Sequence, residues 1–406
     1  MSSRARRVNR RAVIAGIGAA GVLAACAAPA PPTPTSAPAA KPAEAPKPAE
    51  AAKLAGEAPK PAADAKAAAA PAAAKPPAAK PGRSLIGKLE GPTIITDPAQ
   101  FPKELKEPPA LAELVKAGKL PPVRERVGED PLLIKPLYEV GKYGGTWRRG
   151  FIGPNDTVNG IRAVQNDKLL YFDYTGQKIV PNIAKGWEVS PDGRTTTLFL
   201  RRGMKWSDGQ PFTADDFMFW FQDVYQNKDL VVSPSFALTI NAKPVTMEKV
   251  DTYTVRFRAP DPYFLLPDRM AYGQVGHHAR YGRDGLGGFA PAHYLKQFHP
   301  KHTSKEELDR KVAEAKVENW TQLFKLRSDS ARNPDLPVVT AWKTTVSITT
   351  PTWTLERNPY SVYVDSEGNQ LPYIDKCVMT LGENLEVINL RAIAGEYDSQ
   401  ARHIDI

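Results

Sequence analysis

The chain contains 406 residues, with 54 Lys and Arg against 44 Asp and Glu, which gives a formal net charge of +10. The first 83 residues hold 13 of the basic and 4 of the acidic side chains, so residues 84–406 are close to neutral. The near-neutral part shows no basic patch interleaved with aromatic residues, which argues against nucleic acid as a partner. Its composition is that of a globular protein, preceded by a compositionally biased N-terminal segment.

The N-terminal residues predict an export signal that ends in a lipid-bearing cysteine. Residues 9–14 (NRRAVI) resemble a twin-arginine export motif, and the apolar stretch after them is shorter than the ~20 residues that a membrane-spanning helix needs. Residues 23–26 (LAAC) match the lipobox of bacterial lipoproteins, in which the thiol of Cys26 would become the lipid-bearing thioether. Residues 16–21 also match GxGxxG, but no strand precedes them, so we predict no dinucleotide site and no cofactor.

Residues 27–82 predict a disordered tether. They consist almost wholly of Ala, Pro, Lys and Glu, and such a segment lacks the branched and aromatic side chains whose burial offsets the entropy lost on folding. As a flexible coil the segment would hold its ends ~40–45 Å apart, which would let a lipid-anchored domain move near its membrane.

Residues 83–142 have the composition of a Pro-rich preface to the folded part. Pro108-Pro109 and Gly118 bracket a short predicted helix at 110–117, because Pro favours the first helical turn and Gly the position after the last. From Gly118 we expect extended chain up to a first strand at 142–149 (KYGGTWRR).

Residues 187–220 predict a strand, a turn, a second strand, a second turn and a buried helix. Pro191-Asp192-Gly193 has the composition of a turn, and residues 195–200 alternate as a half-buried strand does. After a second turn at 207–209, Thr213 and Asp216 have the spacing of a capping box, and the helix that follows is apolar on nearly every face.

Strand and helix patterns alternate through the rest of the chain, as they do in α/β proteins. The predicted elements are a strand at 251–258, a helix running from Ser304 to Trp320, strands beyond Val338 that include 371–376, and a helix that Asn384 caps and Gly395 ends.

The segment 187–220 also resembles the signature of a known family. The order of its Trp, Asp-Gly, Leu-Arg and Lys-Trp-Ser-Asp-Gly motifs is similar to that of ABC transporter extracellular solute-binding proteins, family 5, the peptide- and nickel-binding class. Residues 142–149, 355–360 and 395–398 resemble three further elements of the same family. The resemblance implies an α/β fold of the two-lobed, type II periplasmic-binding-protein kind.

The resemblance also implies a division of the chain. Residues 143–350 would form the first lobe, and residues 351–406 the crossover and the start of the second lobe. The signal at 1–26, the tether at 27–82 and the preface at 83–142 would precede them. Because family members have a complete second lobe, we interpret the chain as the N-terminal part of such a protein.

By the same resemblance the protein would be an extracytoplasmic lipoprotein that captures oligopeptides, or a related solute, in a cleft between the lobes. Its partners would be the small solute, the ABC permease subunits and, through the lipid anchor, the outer face of the cytoplasmic membrane. The alternatives are a receptor of the same fold for oligosaccharides or nickel complexes, a secreted hydrolase, and a ligand-sensing module.

Four residues are candidates for lining the cleft. Phe151 and Asn155 belong to the loop after the first predicted strand, where members of the family line the cleft. Tyr272 and Gln274 follow residues 261–266, which resemble a helix start of the family. Ordinary core packing is an equal alternative for the aromatic candidates.

The remaining chemistry-bearing residues predict no catalytic and no metal site. His277-His278 are expected in an exposed, Gly-rich loop, because adjacent histidines project apart and no further ligand has metal-site spacing. Asp215 and Asp216 are expected to serve the start of a helix, and Cys377 to be a buried, unreactive thiol. Since the folded part has no nucleophile elbow, zinc-protease motif or phosphate loop, we predict that the protein is not an enzyme.

Overall fold

The computed structural model describes residues 89–163, 167–278 and 287–404. The predicted export signal with Cys26, the tether and the GxGxxG match lie outside the described residues. Within the described ranges, no helix has both the length and the apolar composition that crossing a membrane requires.

Helices and short strands alternate along the described chain. The α-helices are α1 (Pro109–Lys116), α2 (Val123–Val127), α3 (Thr157–Ala163), α4 (Ala214–Phe219), α5 (Leu266–Tyr272), α6 (Ala292–Leu295), α7 (Lys305–Glu314), α8 (Trp320–Arg327) and α9 (Leu385–Ile393). The β-strands are β1 (Thr93–Ile95), β2 (Leu132–Lys135), β3 (Thr146–Phe151), β4 (Leu170–Phe172), β5 (Ile179–Pro181), β6 (Ala184–Val189), β7 (Thr195–Leu200), β8 (Thr239–Ile240), β9 (Lys243–Pro244), β10 (Thr246–Asp251), β11 (Thr254–Arg258), β12 (Trp342–Val346), β13 (Thr352–Arg357), β14 (Tyr363–Asp365) and β15 (Lys376–Leu381).

Two four-stranded sheets form the framework. One is antiparallel throughout and has the order β10-β11-β7-β6. The other has the order β12-β13-β15-β3, in which β12, β13 and β15 are antiparallel and β3 joins β15 in parallel. A three-stranded sheet, β1-β2-β14, and the hairpins β4-β5 and β8-β9 complete the sheets of the described residues.

The two largest hydrophobic cores position the loops at the ends of these sheets. The larger core contains the fully buried side chains of Trp206, Phe217 and Trp220, together with buried residues of β7, β11, α5 and α8. The smaller core packs Phe151 of β3 against Trp353 of β13 and includes residues of β15. Because burial of large apolar side chains is the main favourable term in folding, both cores hold their strands in place.

The unit predicted at 187–220 is confirmed in the order and type of its elements. β6 and β7 pair across a turn in which Gly193 has φ of +68° and donates to the Ser190 carbonyl at 2.8 Å. Thr213 and Asp216 form the predicted capping box of α4, with the Asp216 carboxylate accepting from the Thr213 N–H at 3.0 Å. The helix then continues through 220–225 as a wider π-helical segment, which the apolar pattern did not predict.

Residues 118–142 are not continuously extended, so that expectation is wrong. They contain the helix α2 and the strand β2, which pairs with β1 and β14. Arg126 of α2 is buried and donates to the Pro121 carbonyl at 2.9 Å and to the Gln370 side chain at 3.0 Å. A partner so distant in sequence stabilises α2 in a way that the local pattern could not reveal.

The helix expected from Ser304 to Trp320 is two helices. Ser304 caps α7 as predicted, by accepting from the Glu307 N–H, but α7 ends at Glu314. Trp320 begins α8, because the Asn319 side chain provides a second N-cap. Trp320 therefore belongs to a new helix and does not continue the apolar face of α7.

The strand expected at 371–376 begins only at Lys376, as β15. The residues before it form a loop in which the Tyr373 hydroxyl donates to the buried carboxylate of Asp365. This contact connects the loop to Asp365 at the end of β14, and residues 371–375 are not part of a strand. The helices expected at 110–117 and after Asn384 are confirmed as α1 and α9.

Candidate functional site

The loop after β3 (residues 152–156, the β3–α3 loop) lies at the carboxyl end of a parallel strand pair. β3 and β15 pair along their whole length, up to Phe151 opposite Leu381, so both strands end at the same edge. Ligands of open α/β sheets bind outside the carboxyl ends of parallel strands. This edge is therefore a candidate ligand site.

Phe151, one of the four predicted lining residues, is fully buried in the smaller core. Its ring meets that of Trp353 edge-on, with the centroids 6.2 Å apart. Gly160 of α3 lies against the same indole, where a Cβ would come within 2.0 Å of a ring carbon. The Phe151 side chain thus serves packing, and it determines where the β3–α3 loop begins.

Asn155 is exposed, and Arg332 orients its side chain. Arg332 Nη2 donates to Asn155 Oδ1 at 3.1 Å and to the Pro154 carbonyl at 3.0 Å. Arg332 Nη1 binds Oδ2 of the buried Asp329 at 2.6 Å. Sequence reasoning missed Arg332 because it lies 177 residues from Asn155 and belongs to no motif.

Asp156 connects the same loop to the segment 398–403. Its buried carboxylate accepts from Arg402 Nε and pairs with His403 Nε2, each at 3.0 Å. Gln400 of that segment binds both main-chain groups of Gly150, accepting from the N–H at 3.0 Å and donating to the carbonyl at 3.2 Å. The segment therefore covers the open edge of β3 and supplies hydrogen-bond partners to its main-chain groups.

Tyr272 and Gln274 lie on a second candidate surface, which we call the α5 face (Phe172, Phe236, Arg269, Tyr272 and Gln274). Tyr272 is 66% exposed, and its ring meets Phe172 edge-on at 4.8 Å. Arg269 lies over the ring of Phe236 at 5.4 Å, and Phe236 is 63% exposed. Arg269 Nη1 also donates to Gln274 Oε1 at 2.9 Å. Arg269 therefore connects the aromatic Phe236 with the polar Gln274.

The C-terminal end of α5 positions this surface. Gly273 follows the helix with φ of +75°, the left-handed conformation that favours Gly after a last helical turn. The Gln274 N–H then donates back to the Arg269 carbonyl at 2.9 Å. The chain therefore reverses its direction, which brings the side chains of Arg269 and Gln274 together. Lys168 Nζ donates to the Ala271 carbonyl at 3.2 Å and satisfies another acceptor of the last turn.

A groove of about 1080 Å³ meets the α5 face at Phe172. It is lined by β1, β2, the β4-β5 hairpin and the loop before β15, and its aromatic residues are Tyr171, Phe172, Tyr174, Trp342, Tyr363 and Tyr373. Apolar walls with a few polar groups are typical of sites that take small molecules. Exposed rings beside an Arg–Gln pair can hold an apolar face of a solute while the polar groups orient it.

The structure brings the two candidates at the end of α5 together, but it does not join them to the β3–α3 loop. Within the described residues, the hydrogen bonds and ring contacts of Phe151 and Asn155 do not reach the α5 face. Sequence reasoning missed Phe236 and Arg269 as members of that face. For Phe236 the available signal was a lone aromatic residue in a loop of Ser and Pro residues.

His277 and His278 are buried, so the expectation of an exposed loop is wrong. Each residue is only 2% exposed. The His278 ring stacks on Phe289 at 6.0 Å and meets Trp206 edge-on at 5.3 Å. The aromatic residues of the larger core offer apolar surface that an imidazole ring covers well, and this packing accounts for the burial of His278.

The other histidines have carboxylate or core partners. His293 pairs with Asp208 at 2.7 Å, and His302 pairs with the buried Asp223 at 2.8 Å. Burial lowers the pKa of His299, which favours its neutral ring. Across the described ranges, no group of three or more His, Cys, Asp or Glu side chains could hold a metal ion.

Asp216 and Cys377 have structural roles, as predicted. The buried Asp216 carboxylate accepts from the Ala292 N–H at 3.1 Å and from Trp206 Nε1 at 3.2 Å, in addition to its capping contact. Burial raises the pKa of Asp216 to about 6. Burial also raises the pKa of the Cys377 thiol to about 12, and a thiol that stays protonated is not a nucleophile.

Comparison with known proteins places these features in a family context. The family model described as bacterial extracellular solute-binding proteins, family 5 Middle, matches residues 178–405. A periplasmic alpha-galactoside-binding protein of Rhizobium meliloti (strain 1021) is 31% identical over 318 residues, which cover 73% of this chain and 42% of that protein.

Two solved structures are similar to the chain as well. An oligopeptide-binding protein OppA is 44% identical with a TM-score of 0.67, over 74% of this chain and 45% of the other. The periplasmic binding protein MelB from Agrobacterium fabrum C58, in complex with stachyose, is 27% identical with a TM-score of 0.57, over 78% of this chain and 47% of the other. The chain thus spans less than half the length of each of these relatives.

Proposed function

Because this chain belongs to the bacterial extracellular solute-binding proteins of family 5, we propose that it captures a small solute outside the cytoplasmic membrane and delivers it to an ABC permease. The family match over residues 178–405, more than half of the chain, carries this proposal. The family is one of substrate-binding proteins and not of enzymes. On that basis we propose ABC permease subunits as partners of this chain.

Oligopeptides are the first ligand class that we propose. The supporting observation is the 44% identity to a structure described as an oligopeptide-binding protein. Peptides can be held through main-chain hydrogen bonds, with pockets that take the side chains. Arg269 and Gln274 would supply polar contacts to such a ligand, and the exposed rings of Phe236 and Tyr272 would pack against its side chains.

Oligosaccharides are the second ligand class. They are favoured by the relatives described as an alpha-galactoside-binding protein and as a stachyose complex. The apolar face of a sugar ring can pack on an exposed aromatic ring, as Phe236 and Tyr272 would allow. Roles as a nickel-complex receptor, a secreted hydrolase or a ligand-sensing module have no supporting contact among the described residues.

We further propose that residues 143–350 form the first lobe and that residues 351–406 lead into the second. The α5 face and the β3–α3 loop would then present the solute-facing groups of the first lobe, and hinge closure would remove the solute from water. Arg332 and Asp156 already hold the β3–α3 loop in one conformation. Binding would therefore lose little entropy in ordering this loop.

The export signal adds a membrane anchor to this proposal. Cys26 would carry the lipid, and residues 27–82 would connect the anchor to the folded domain on the outer face of the membrane. Fractionation of cells that express Cys26→Ala tests the anchor. We expect the variant to leave the membrane fraction for the soluble one, and an unchanged membrane fraction would contradict the lipid anchor.

Titration calorimetry of the full chain with panels of peptides, oligosaccharides and nickel complexes tests the binding function. We expect one class to bind and to raise the midpoint of thermal unfolding, because a ligand that binds only the folded state stabilises it. Failure of every panel in both measurements would contradict the proposed function. Turnover of any panel member by the purified chain would favour a secreted hydrolase instead.

A further inference from the structure

We propose that Asn155 donates a hydrogen bond to the bound solute and that Arg332 is the positioning residue that holds Asn155 in this orientation. The inference rests on the proposed function. It adds the hydrogen-bonding character of the solute group at the β3–α3 loop, which would be an acceptor such as a carbonyl, hydroxyl or carboxylate oxygen.

The orientation of the Asn155 amide follows from the chemistry of its neighbour. A guanidinium group has only donors, so the Asn155 atom that lies 3.1 Å from Arg332 Nη2 must be the amide oxygen. The amide nitrogen, with two N–H groups, is therefore the part of the side chain that remains for a ligand. Asn155 is exposed, and its Nδ2 makes no hydrogen bond to another described residue.

Arg332 is itself held firmly in place. Its Nη1 binds Asp329 at 2.6 Å, and the Asp329 side chain is only 4% exposed. Asp329 Oδ1 also accepts from the Ala331 N–H at 2.9 Å, and Ala331 is buried in the smaller core beside Phe151. The smaller core, which contains Phe151 at the end of β3, thus also anchors Arg332 through Ala331 and Asp329.

The consequence is selectivity for one kind of polar group. An asparagine that can rotate offers either an acceptor or a donor, but this one offers its donors. A solute group that is itself a donor, such as an ammonium, would meet Asn155 with N–H facing N–H. Such a mismatch leaves polar groups unpaired and lowers affinity.

The test compares the wild-type chain with Asn155→Asp by titration calorimetry, with trialanine and raffinose as probes. The replacement keeps an oxygen facing Arg332 and the size of the side chain, but it removes both N–H donors. We expect the fold to be retained and the affinity for the probe that binds to fall about tenfold or more. Gln226→Glu, which makes the same change of charge at another exposed position, is the matched control and is expected to bind as wild type does.

The role of Arg332 is tested by a conservative pair of variants. Arg332→Lys keeps a donor near the Asn155 oxygen and is expected to retain most of the affinity, whereas Arg332→Leu frees the amide to rotate and is expected to lose affinity.

In NMR spectra of the labelled chain, the side-chain NH₂ signals of Asn155 should shift on addition of the probe. A residue with a merely structural role would not show this shift.

The possible outcomes separate the proposed function, the role of Asn155 and the role of Arg332. A wild-type chain that binds neither probe counts against the proposed function and against this inference with it. A wild-type chain that binds a probe, together with an Asn155→Asp variant that binds it equally well, overturns this inference alone. Equal affinities of Arg332→Leu and Arg332→Lys would overturn the positioning role.

Discussion

The segment 187–220 and the α5 face differ in what their side chains do. In the segment, Trp206 is fully buried, and Thr213 and Asp216 satisfy each other's polar groups at the start of α4. On the α5 face, Phe236 and Tyr272 leave most of their surface in solvent, with exposures of 63% and 66%. The first region uses its aromatic residues for folding, whereas the second keeps them accessible.

The difference shows that the most recognisable part of the chain and its proposed binding part are separate. A buried aromatic ring contributes to stability, but an exposed one contributes little, so a cluster of exposed rings indicates a binding surface. The family signature in 187–220 is accounted for by turns, a cap and a core, and it supplies no group to either candidate site. Substitutions in the two regions should therefore separate stability from binding.

Replacing Trp206 with Ala should destabilise the fold, because Trp206 belongs to the segment 187–220, which serves as scaffold and not as binding surface. The side chain is fully buried against Phe212 and Phe289, and its indole nitrogen donates to Asp216. We expect the free energy of unfolding, measured with urea, to fall by about 3–5 kcal/mol. The matched control, Tyr272→Ala, should change it by less than about 0.5 kcal/mol; equal losses in the two variants would remove the contrast.

The titration of Asp216 should make the free energy of unfolding depend on pH. Its pKa is raised to about 6, so between about pH 4 and pH 6 the folded state keeps a proton that the unfolded state has already lost. The free energy of unfolding of the wild type relative to Asp216→Asn should therefore decrease as the pH rises through this range, by on the order of 2–3 kcal/mol. Above about pH 7 the difference should be level. Urea unfolding at a series of pH values measures it, and a difference that increases with pH would contradict the assignment.

Removing the exposed rings should affect binding and leave stability almost unchanged. Phe236→Ala and Tyr272→Ala should each weaken binding of the solute found by calorimetry by about 1–2 kcal/mol, or roughly 5- to 30-fold. Tyr138→Ala is the matched control, because Tyr138 is an 85% exposed tyrosine that belongs to neither candidate surface and whose hydroxyl donates to Glu90. Unchanged affinity in both variants, with the solute still bound, would place the binding surface elsewhere.

Removing the N-cap of α7 should reduce stability less than the changes above. Because α7 lies outside the family signature at 187–220, this variant tests whether stability and binding separate in another part of the fold. Ser304 accepts from the Glu307 N–H at 3.3 Å. Ser304→Ala should reduce the free energy of unfolding by about 1 kcal/mol, whereas Ser304→Gly should cost only a few tenths. Both variants should bind solute as wild type does, and a loss of affinity at unchanged stability would count against a purely structural cap.

Local chemistry explains why the family and the fold class could be predicted from the sequence. The turn residues, the capping box and the alternation in 187–220 each specify a conformation through groups a few positions apart, and all were found as expected. The predicted membership of family 5 is confirmed by the family match, and the predicted type II α/β fold is confirmed by the likeness to the OppA structure. The N-cap of α9 at Asn384 belongs to the same local class.

Features that depend on distant partners could not be predicted. The hydrogen bond of Arg332 to Asn155 joins positions 177 residues apart, and that of Arg402 to Asp156 joins positions 246 residues apart. No periodicity or spacing encodes such pairs, because they form only when the sheets bring loop ends together. The burial of His278 likewise depends on its contacts with Trp206 and Phe289 of the larger core and not on its Gly-rich neighbours.

Hydrogen exchange of the full chain, with and without the solute found by calorimetry, tests most directly that scaffold and binding surface are separate. We expect added protection at residues 152–156 and 266–274, where the β3–α3 loop and the end of α5 lie. Protection at 195–200 and 214–225 should be unchanged, because the amides there are already held by strands and helix in the core. Solute-dependent protection confined to 195–225, with none in the two candidate surfaces, would contradict the account.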